Sequence, residues 1–419
     1  MTSLKIVYQV CCGIDVHRDF VVACIASTDS KGVTTYQKKR FSTFSGGLRD
    51  LRDWLCANNC KDVCMESTGK YWIPVHNMLE STCNVVVCHP KFVKSIKGKK
   101  TDKKDAQWIA DLFKHDLVRS SFIPPENIRQ LRNLCRYWVK LTSNMTSEKN
   151  RAQNSLTISS LKLDSVFSDV FGKSASAIIN HMLEHPGEKF DVTPFVHHRC
   201  KTPIEQIQEA VDGSISPHQA GKLKIIREHM ADIEKHKESL SELIFELAKP
   251  YQAQIDLLLS VPGIADPMTA IRIIAEIGVD MTVFDSSKHC ASWAGLAPQN
   301  NESAGKKKTT RIGKAGQYLK PLLVQCALAS SRSDKYPEIK GKYQQLKKRR
   351  GAKKATIAIA RRLLTAMYHM LLNGAFYKPY VAPLEQSVPK KRVITPEQAL
   401  AILRKQGYVV SEGKPTGAA

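Results

Sequence analysis

Residues 99–106 read KKTDKKDA, with four lysines and two aspartates in the first seven positions. Asp102 and Asp105 stand three apart, a spacing that puts them on one face of a helix. Two further acids close short apolar runs: Asp15 follows IVYQVCCGI at 6–14, and Glu66 follows DVCM at 62–65. If those runs are neighbouring strands, and the helix starting near 102 packs against their ends, four carboxylates gather in one pocket. They cannot all stay ionised within a few ångströms of one another without compensation. Mg²⁺ prefers hard oxygen ligands and supplies it. Two such ions roughly 4 Å apart can clamp a scissile phosphate. Lys99, Lys100, Lys103 and Lys104 then hold the rest of a nucleic-acid backbone. Singly, each acid has an ordinary reading: Asp102 can cap its own helix, Asp105 can pair with a neighbouring lysine, and Asp15 can simply end a strand. The joint pattern carries the metal site.

The elements that must position these acids are legible in outline. Runs at 6–14, 20–26 (FVVACIA) and 36–41 read as three strands, with a turn at 29–32, in an antiparallel meander. Residues 45–59 have helical spacing, with Leu48, Leu51, Leu55 and Cys56 on one face. Residues 62–65 and 84–88 (NVVVC) read as short buried strands, and 71–79 as a helix. In 101–117, Ala106, Ile109, Ala110, Phe113 and Leu117 share a helical face. The order β-β-β-α-β-α-β-α predicts a mixed sheet flanked by helices.

The remainder reads as mainly helical. A long Arg- and Lys-rich helix is expected over 128–156, with Arg132 and Arg136 either on a phosphate backbone or on a solvated face. Residues 162–217 are irregular and broken by prolines. From Leu223 to Leu247 apolar residues follow a heptad, broken only by Lys237. It predicts a coiled coil, between chains or as a hairpin, in preference to a helix packed on its own domain. Residues 257–278 (LLLSVPGIADPMTAIRIIAEIG) suggest a helix-hairpin-helix-like turn whose backbone N–H groups could meet a phosphate. A Gly-, Lys- and Ser-rich loop is expected over 293–317, helices over 319–330 and 355–373, and beyond 380 a flexible tail with a short helix near 396–406.

Composition limits the function classes. The 419 residues carry a net charge of +24, an excess that points to a polyanionic partner, most often nucleic acid. The cations are spread along the whole chain, which weighs against a membrane surface. No apolar run approaches the roughly 20 residues that cross a bilayer, and the first residues lack the pattern of a signal peptide. The twelve cysteines include no CxxC, so zinc-ribbon spacing is absent and small buried thiols in a reducing cytoplasm are expected.

Three motifs, GIDVH at 13–17, MESTGKYW at 65–72 and KTDKKDA at 100–106, resemble the Asp-Glu-Asp-Asp signature of a bacterial insertion-sequence transposase family. SVPGIADPMTAIRIIAEIG and the stretch from FDSSKHC to AGQYLK resemble the C-terminal transposase domain of the same family. The resemblance spans roughly residues 10–375. It implies an α/β plus α chain: a RuvC-like (ribonuclease H-like) metal-binding domain at 1–125, a helical linker and coiled coil at 126–249, a mainly helical C-terminal domain at 250–378, and a basic tail at 379–419.

The resemblance also implies a DNA recombinase guided by a structured bridge RNA that pairs with donor and target double-stranded DNA. It would work as a dimer or tetramer in the bacterial cytoplasm, at the nucleoid. The nucleophile it implies is a serine, matching Ser303 in NNESAGKKK, where Ala304 stands in place of the family's usual glycine. A serine hydroxyl needs activation, and no His–Asp pair lies nearby in sequence. Lys306, Lys307, Lys308, Arg311 and Lys314 could neutralise charge growing on the phosphoryl oxygens; their ordinary reading is plain backbone contact. Two other functions stay open: a metal-dependent structure-specific endonuclease that uses water, and a non-catalytic nucleic-acid scaffold.

Overall fold

The computed structural model describes residues 4–67, 69–90, 102–298, 301–303, 306–309, 311–313, 315–379 and 395–407, with only the backbone at 102, 103, 301–303, 306–309, 396 and 402. Five strands form the first sheet: β1 (Val10–Val16), β2 (Phe20–Thr28), β3 (Thr34–Ser42), β4 (Asp62–Glu66) and β5 (Asn84–Cys88), in the order β3-β2-β1-β4-β5. β1, β2 and β3 form an antiparallel meander, while β4 and β5 join parallel to β1. The expected element order holds throughout this part of the chain.

Alternation divides the sheet into two faces. Cys12, Ile14, Val16, Val63 and Met65 are buried against α1 (Ser45–Ala57) and α2 (Trp72–Leu79) through Leu48, Leu51, Leu55, Val75 and Leu79. Cys11, Cys64 and Cys88 face the other way, against Ile109, Ala110 and Phe113 of α3 (Asp102–Lys114). The central strands are therefore covered on both sides and read as continuous apolar runs. β3 is one of the two edge strands, and its exposed Lys38, Lys39 and Arg40 discourage pairing with another chain.

A 33-residue helix follows, α4 (Glu126–Ile158). Beyond it, short helices α5 (Leu163–Val166), α6 (Lys173–Glu184) and α7 (Ile204–Ala210) build a small cap. Residues 162–217, unreadable as sequence, thus have a core of their own around Leu163, Ile178, Ile179, Val192 and Ile207. The chain returns along α8 (Pro217–Ala248), antiparallel to α4: Trp138 Nε1 donates to Ser241 Oγ at 3.0 Å, and His229 lies 3.2 Å from Glu148. The heptad of α8 is therefore satisfied within the chain, as a hairpin with α4. Lys237, its one break, keeps its stem buried, with its ammonium 5.1 Å from the Trp138 ring centroid and 3.3 Å from Glu234.

The last core gathers α9 (Gln252–Leu259), α10 (Pro267–Ile277), α11 (Ser287–Trp293), α12 (Leu319–Arg332), α13 (Pro337–Arg350) and α14 (Ala352–Asn373). Ile128, Leu131 and Cys135 of α4 belong to the same core, so this helix ties the sheet end of the chain to the C-terminal helices. Helix α15 (Pro396–Lys405) falls where the tail was expected to carry one. Within 293–317 the expected loop contains a short hairpin instead, β6 (Asn301–Ser303) paired antiparallel with β7 (Lys306–Thr309). Strands of three and four residues are too short to show alternation. Among the described residues no helix is long and apolar enough to cross a membrane.

Candidate functional site

Asp15 lies one residue before the end of β1, and Glu66 is the last residue of β4. The two strands are parallel and paired through Ile14 and Met65. Asp15 and Glu66 are each the next residue along, so they stand side by side, on strands spaced about 4.8 Å apart. Alternation turns both toward α3, the face already occupied by Cys11 and Cys64.

α3 runs antiparallel to β1. Cys11 Sγ lies 3.7 Å from the Ala110 carbonyl, and a Cβ at Gly13 would stand 2.3 Å from the Ala106 carbonyl oxygen. Only a glycine permits this approach of strand and helix. Two residues up the strand correspond to four back along the helix, because both steps advance about 6 Å. The same step taken once more carries Asp15 toward the first turn of α3, where the backbone of Asp102 and the side chain of Asp105 belong. Asp105 is partly exposed, as a group at the mouth of a cleft would be. Asp15 is 14 % exposed and meets His17 Nε2 at 3.0 Å; the imidazole also lies against the tilted ring of Phe20, centroids 4.5 Å apart.

The acids on this face offer carboxylate oxygens, the set that Mg²⁺ prefers, although Asp15, Glu66 and Asp105 do not by themselves form a three-ligand group. Among the described residues no group of three or more His, Cys, Asp or Glu is close enough to hold a metal ion; the Asp102 side chain lies outside them. The side chains of Lys103, Ser303, Lys306, Lys307 and Lys308, and the whole of Lys99, Lys100 and Lys314, also lie outside. The backbone of Ser303 is in β6, paired with Lys306. Lys104 and Arg311 are exposed.

Two expected nucleic-acid contacts are corrected by the packing. Arg132 donates to the carbonyl oxygens of Ala275 and Glu276, both at 2.8 Å, closing the C-terminus of α10. Burial lowers its pKa to about 10, against the opposing pull of Glu276. Arg136 holds the Glu276 carboxylate through two bonds of 2.8 Å. Both guanidinium groups join α4 to the C-terminal core. The sequence missed this because their acceptors lie about 140 residues away.

The turn expected to resemble a helix-hairpin-helix packs closely on the C-terminal core. Its Gly263 packs on α12, where a Cβ would stand 2.2 Å from the Cys326 carbonyl oxygen. Asp266 caps α10, accepting from the N–H groups of Met268 and Thr269. These two N–H groups at the start of α10 are therefore already paired. Ser286 caps α11 by accepting from His289 N–H at 3.2 Å. Trp72 is a packing residue, edge-on to His76 at 5.7 Å.

The twelve cysteines form no disulfide, and ten are buried. Burial raises the thiols of Cys11, Cys60, Cys135 and Cys290 to about 12, so they are not nucleophiles.

Comparison with known proteins follows the same two halves. The DEDD transposase profile of the IS110 group, described as "Transposase", matches residues 12–160. A second profile, described as "Transposase IS116/IS110/IS902 family", matches residues 255–344. An insertion element IS110 uncharacterized 43.6 kDa protein of Streptomyces coelicolor is 26% identical over 307 residues, 67% of this chain and 72% of that protein. The pilin gene-inverting proteins of Moraxella bovis and Moraxella lacunata are each 36% identical over 118 residues, 27% of this chain and 36% of theirs. Among solved structures, a Fowlpox virus resolvase in complex with Holliday junction DNA aligns at a TM-score of 0.18 and 17% identity, over 25% of this chain and 72% of that one; a score that low adds nothing to the fold described above. The two profiles cover more than half of the sequence between them, in the order of the sheet and the C-terminal helical core: the chain belongs to the IS116/IS110/IS902 family of transposases.

Proposed function

We propose that this chain is an RNA-guided DNA recombinase of a mobile element, acting through a 5′-phosphoserine intermediate. The observation that carries the reading is the parallel register of β1 and β4, which sets Asp15 beside Glu66 on the side facing the first turn of α3. With Asp102 and Asp105, these acids would hold Mg²⁺ on a RuvC-like sheet. Bound there, the metal would offset the crowded carboxylates and polarise a scissile phosphate. His17 would steady Asp15.

The Ser303 hydroxyl oxygen attacks a DNA phosphorus, and the 3′-oxygen of the neighbouring nucleotide leaves, taking up a proton. A 3′-hydroxyl from the partner strand then attacks the phosphoserine and releases the serine. Every step exchanges one phosphate ester for another, so no ATP is consumed. Arg311 and the lysines of β7 and its flanks, Lys306, Lys307, Lys308 and Lys314, stabilise the charge that grows on the phosphoryl oxygens. Lys99, Lys100, Lys103 and Lys104 grip the backbone beside the acids.

The division proposed is a metal-binding domain at 1–125, a helical connection at 126–249, a serine-bearing domain at 250–378 and a tail at 379–419. Donor and target DNA, a structured RNA and at least two copies of the chain form the working complex, in the bacterial cytoplasm where its DNA lies. The acids of one copy serving the serine of another would prevent cutting before assembly.

Two measurements test the reading. Protein incubated with donor and target DNA and Mg²⁺ should yield a protein–DNA adduct that survives denaturation and is absent in Ser303→Ala. A nick formed without adduct, and kept by Ser303→Ala, would identify a nuclease that uses water. Nucleic acid copurified from cells should be one discrete structured RNA; random fragments would remove the guide from the proposal.

A further inference from the structure

The C-terminal core carries a concentration of charge with no assigned task. Helix α13 ends at Arg350 and α14 starts at Ala352, joined by Gly351 alone. Gly351 has φ +83°, a conformation other residues resist, and its N–H donates to the Lys347 carbonyl at 3.0 Å. The two helices pack on each other and form a hairpin with a one-residue bend. Residues 347–354 at its tip read KKRRGAKK: six cations in eight positions, all exposed. No Asp or Glu occurs between Glu338 and Glu385. Among the described residues, none of the six has an ion-pair or hydrogen-bond partner for its side chain.

Such a tip concentrates like charge. Lys347 and Arg350 stand three apart on α13, where like charges repel by roughly 0.2–0.5 kcal/mol, and Lys353 and Lys354 follow just past the bend. The apolar residues of α13 give no reason for the crowding. Ile339, Tyr343 and Leu346 supply the packing face, pressed into the C-terminal core, and the cations surround the last turn on all sides. A solvated helix face in this chain normally mixes signs, as α8 does with Glu234 and Lys237.

We propose that the α13–α14 tip is a second nucleic-acid contact, gripping the phosphate backbone of a duplex away from the acidic face of the sheet. The chemistry favours backbone over bases. The tip carries no aromatic ring on which a base could stack, and Tyr343 is turned into the core. Lysine and arginine without amide side chains beside them position a duplex and do not read its sequence. The proposal rests on the nucleic-acid partnership of the function above, and on none of its catalytic residues.

The experiment reads binding alone, so a failure of the serine mechanism leaves its outcome intact. Full-length protein is titrated against a 30-base-pair DNA duplex and an RNA hairpin of equal stem length, across a range of salt concentrations. Each phosphate contact contributes about −0.9 to the slope of log K against log salt on duplex DNA. Replacing the six tip cations by Gln should flatten that slope by about 4 to 5 and weaken binding at least about tenfold near 0.1 M salt. The probe that responds identifies the duplex held. Swapping Lys for Arg and Arg for Lys at the same six positions should restore the slope. A control neutralises six exposed lysines elsewhere, Lys173, Lys189, Lys201, Lys222, Lys224 and Lys235. An unchanged slope on both probes, or an equal loss in the control, would overturn the proposal. The Gln variant should keep the far-ultraviolet spectrum of the parent; a collapsed spectrum in both the Gln and the swapped variant would show the tip to be structural and would also overturn it.

Discussion

The carbonyl oxygen of Ala106 lies 2.3 Å from the point where a Cβ on Gly13 would stand. This contact sets the height of α3 above the sheet and, with it, the distance from Asp15 to the helix's first turn. Gly13→Ala must push backbone against backbone. The expected cost is about 3 kcal/mol, at the upper end of overpacking, read as a lower urea midpoint at unchanged m. DNA cleavage should fall further than the folded fraction does, because the helix that carries Asp102 and Asp105 moves.

Asp15→Asn and Glu66→Gln keep shape and remove charge. Each should lower Mg²⁺-dependent cleavage by about 10²–10³-fold, with duplex binding at high salt unchanged. Chelation should abolish cleavage by the parent and leave its melting temperature nearly unaltered, since the sheet is held by apolar packing on both faces. Equal cleavage by parent and Asp15→Asn would remove β1 from the chemistry.

Arg136 and Glu276 form a pair in which the carboxylate is buried and the guanidinium is 40% exposed. Breaking a fully buried pair costs about 3–5 kcal/mol; screening at the exposed guanidinium reduces this to about 2. Arg136→Ala should therefore destabilise the protein while leaving the salt slope of DNA binding where it was. A reduced slope with unchanged stability would return Arg136 to the nucleic-acid surface.

His76 predicts the acid sensitivity of the junction below the sheet. Burial lowers the proton affinity of its ring; Glu80 opposes this and Arg129 adds to it. The folded pKa thus lies below the ordinary histidine value of about 6.5. Above about pH 6.5 both states hold a neutral ring and this group adds no pH dependence. As pH falls below that value, the unfolded chain takes up a proton that the folded chain refuses, so stability declines until the folded pKa is passed. His76→Gln should flatten this limb of a melting-temperature profile; an identical limb in both proteins would assign it to other groups.

The sheet was legible because local rules decided it. Dense apolar strands, a turn at 29–32 and the Leu48–Leu51–Leu55 stripe each fix their own element, and the element order then limits the topology. Residues whose partners are remote in sequence were the hardest to read: Arg132 and Arg136 reach α10, and Asp266 caps that same helix, whereas the heptad of α8 finds in α4 the hairpin partner it was expected to have. The cap was illegible because its short helices and Pro-rich links carry little periodicity. The basic tip stands in plain view as KKRRGAKK, yet only the structure reveals that α13 and α14 meet there with no acid beside them.

Helix α4 is 33 residues long, about 50 Å at 1.5 Å per residue, and α8 retraces it. At the far end, Ser159 and Gly213 touch: a Cβ at Gly213 would stand 2.3 Å from the Ser159 carbonyl oxygen. The chain leaves and re-enters the stalk at one spot. The cap is accordingly an interchangeable head, and a differently sized module could be grafted there to alter reach, leaving both distant cores undisturbed.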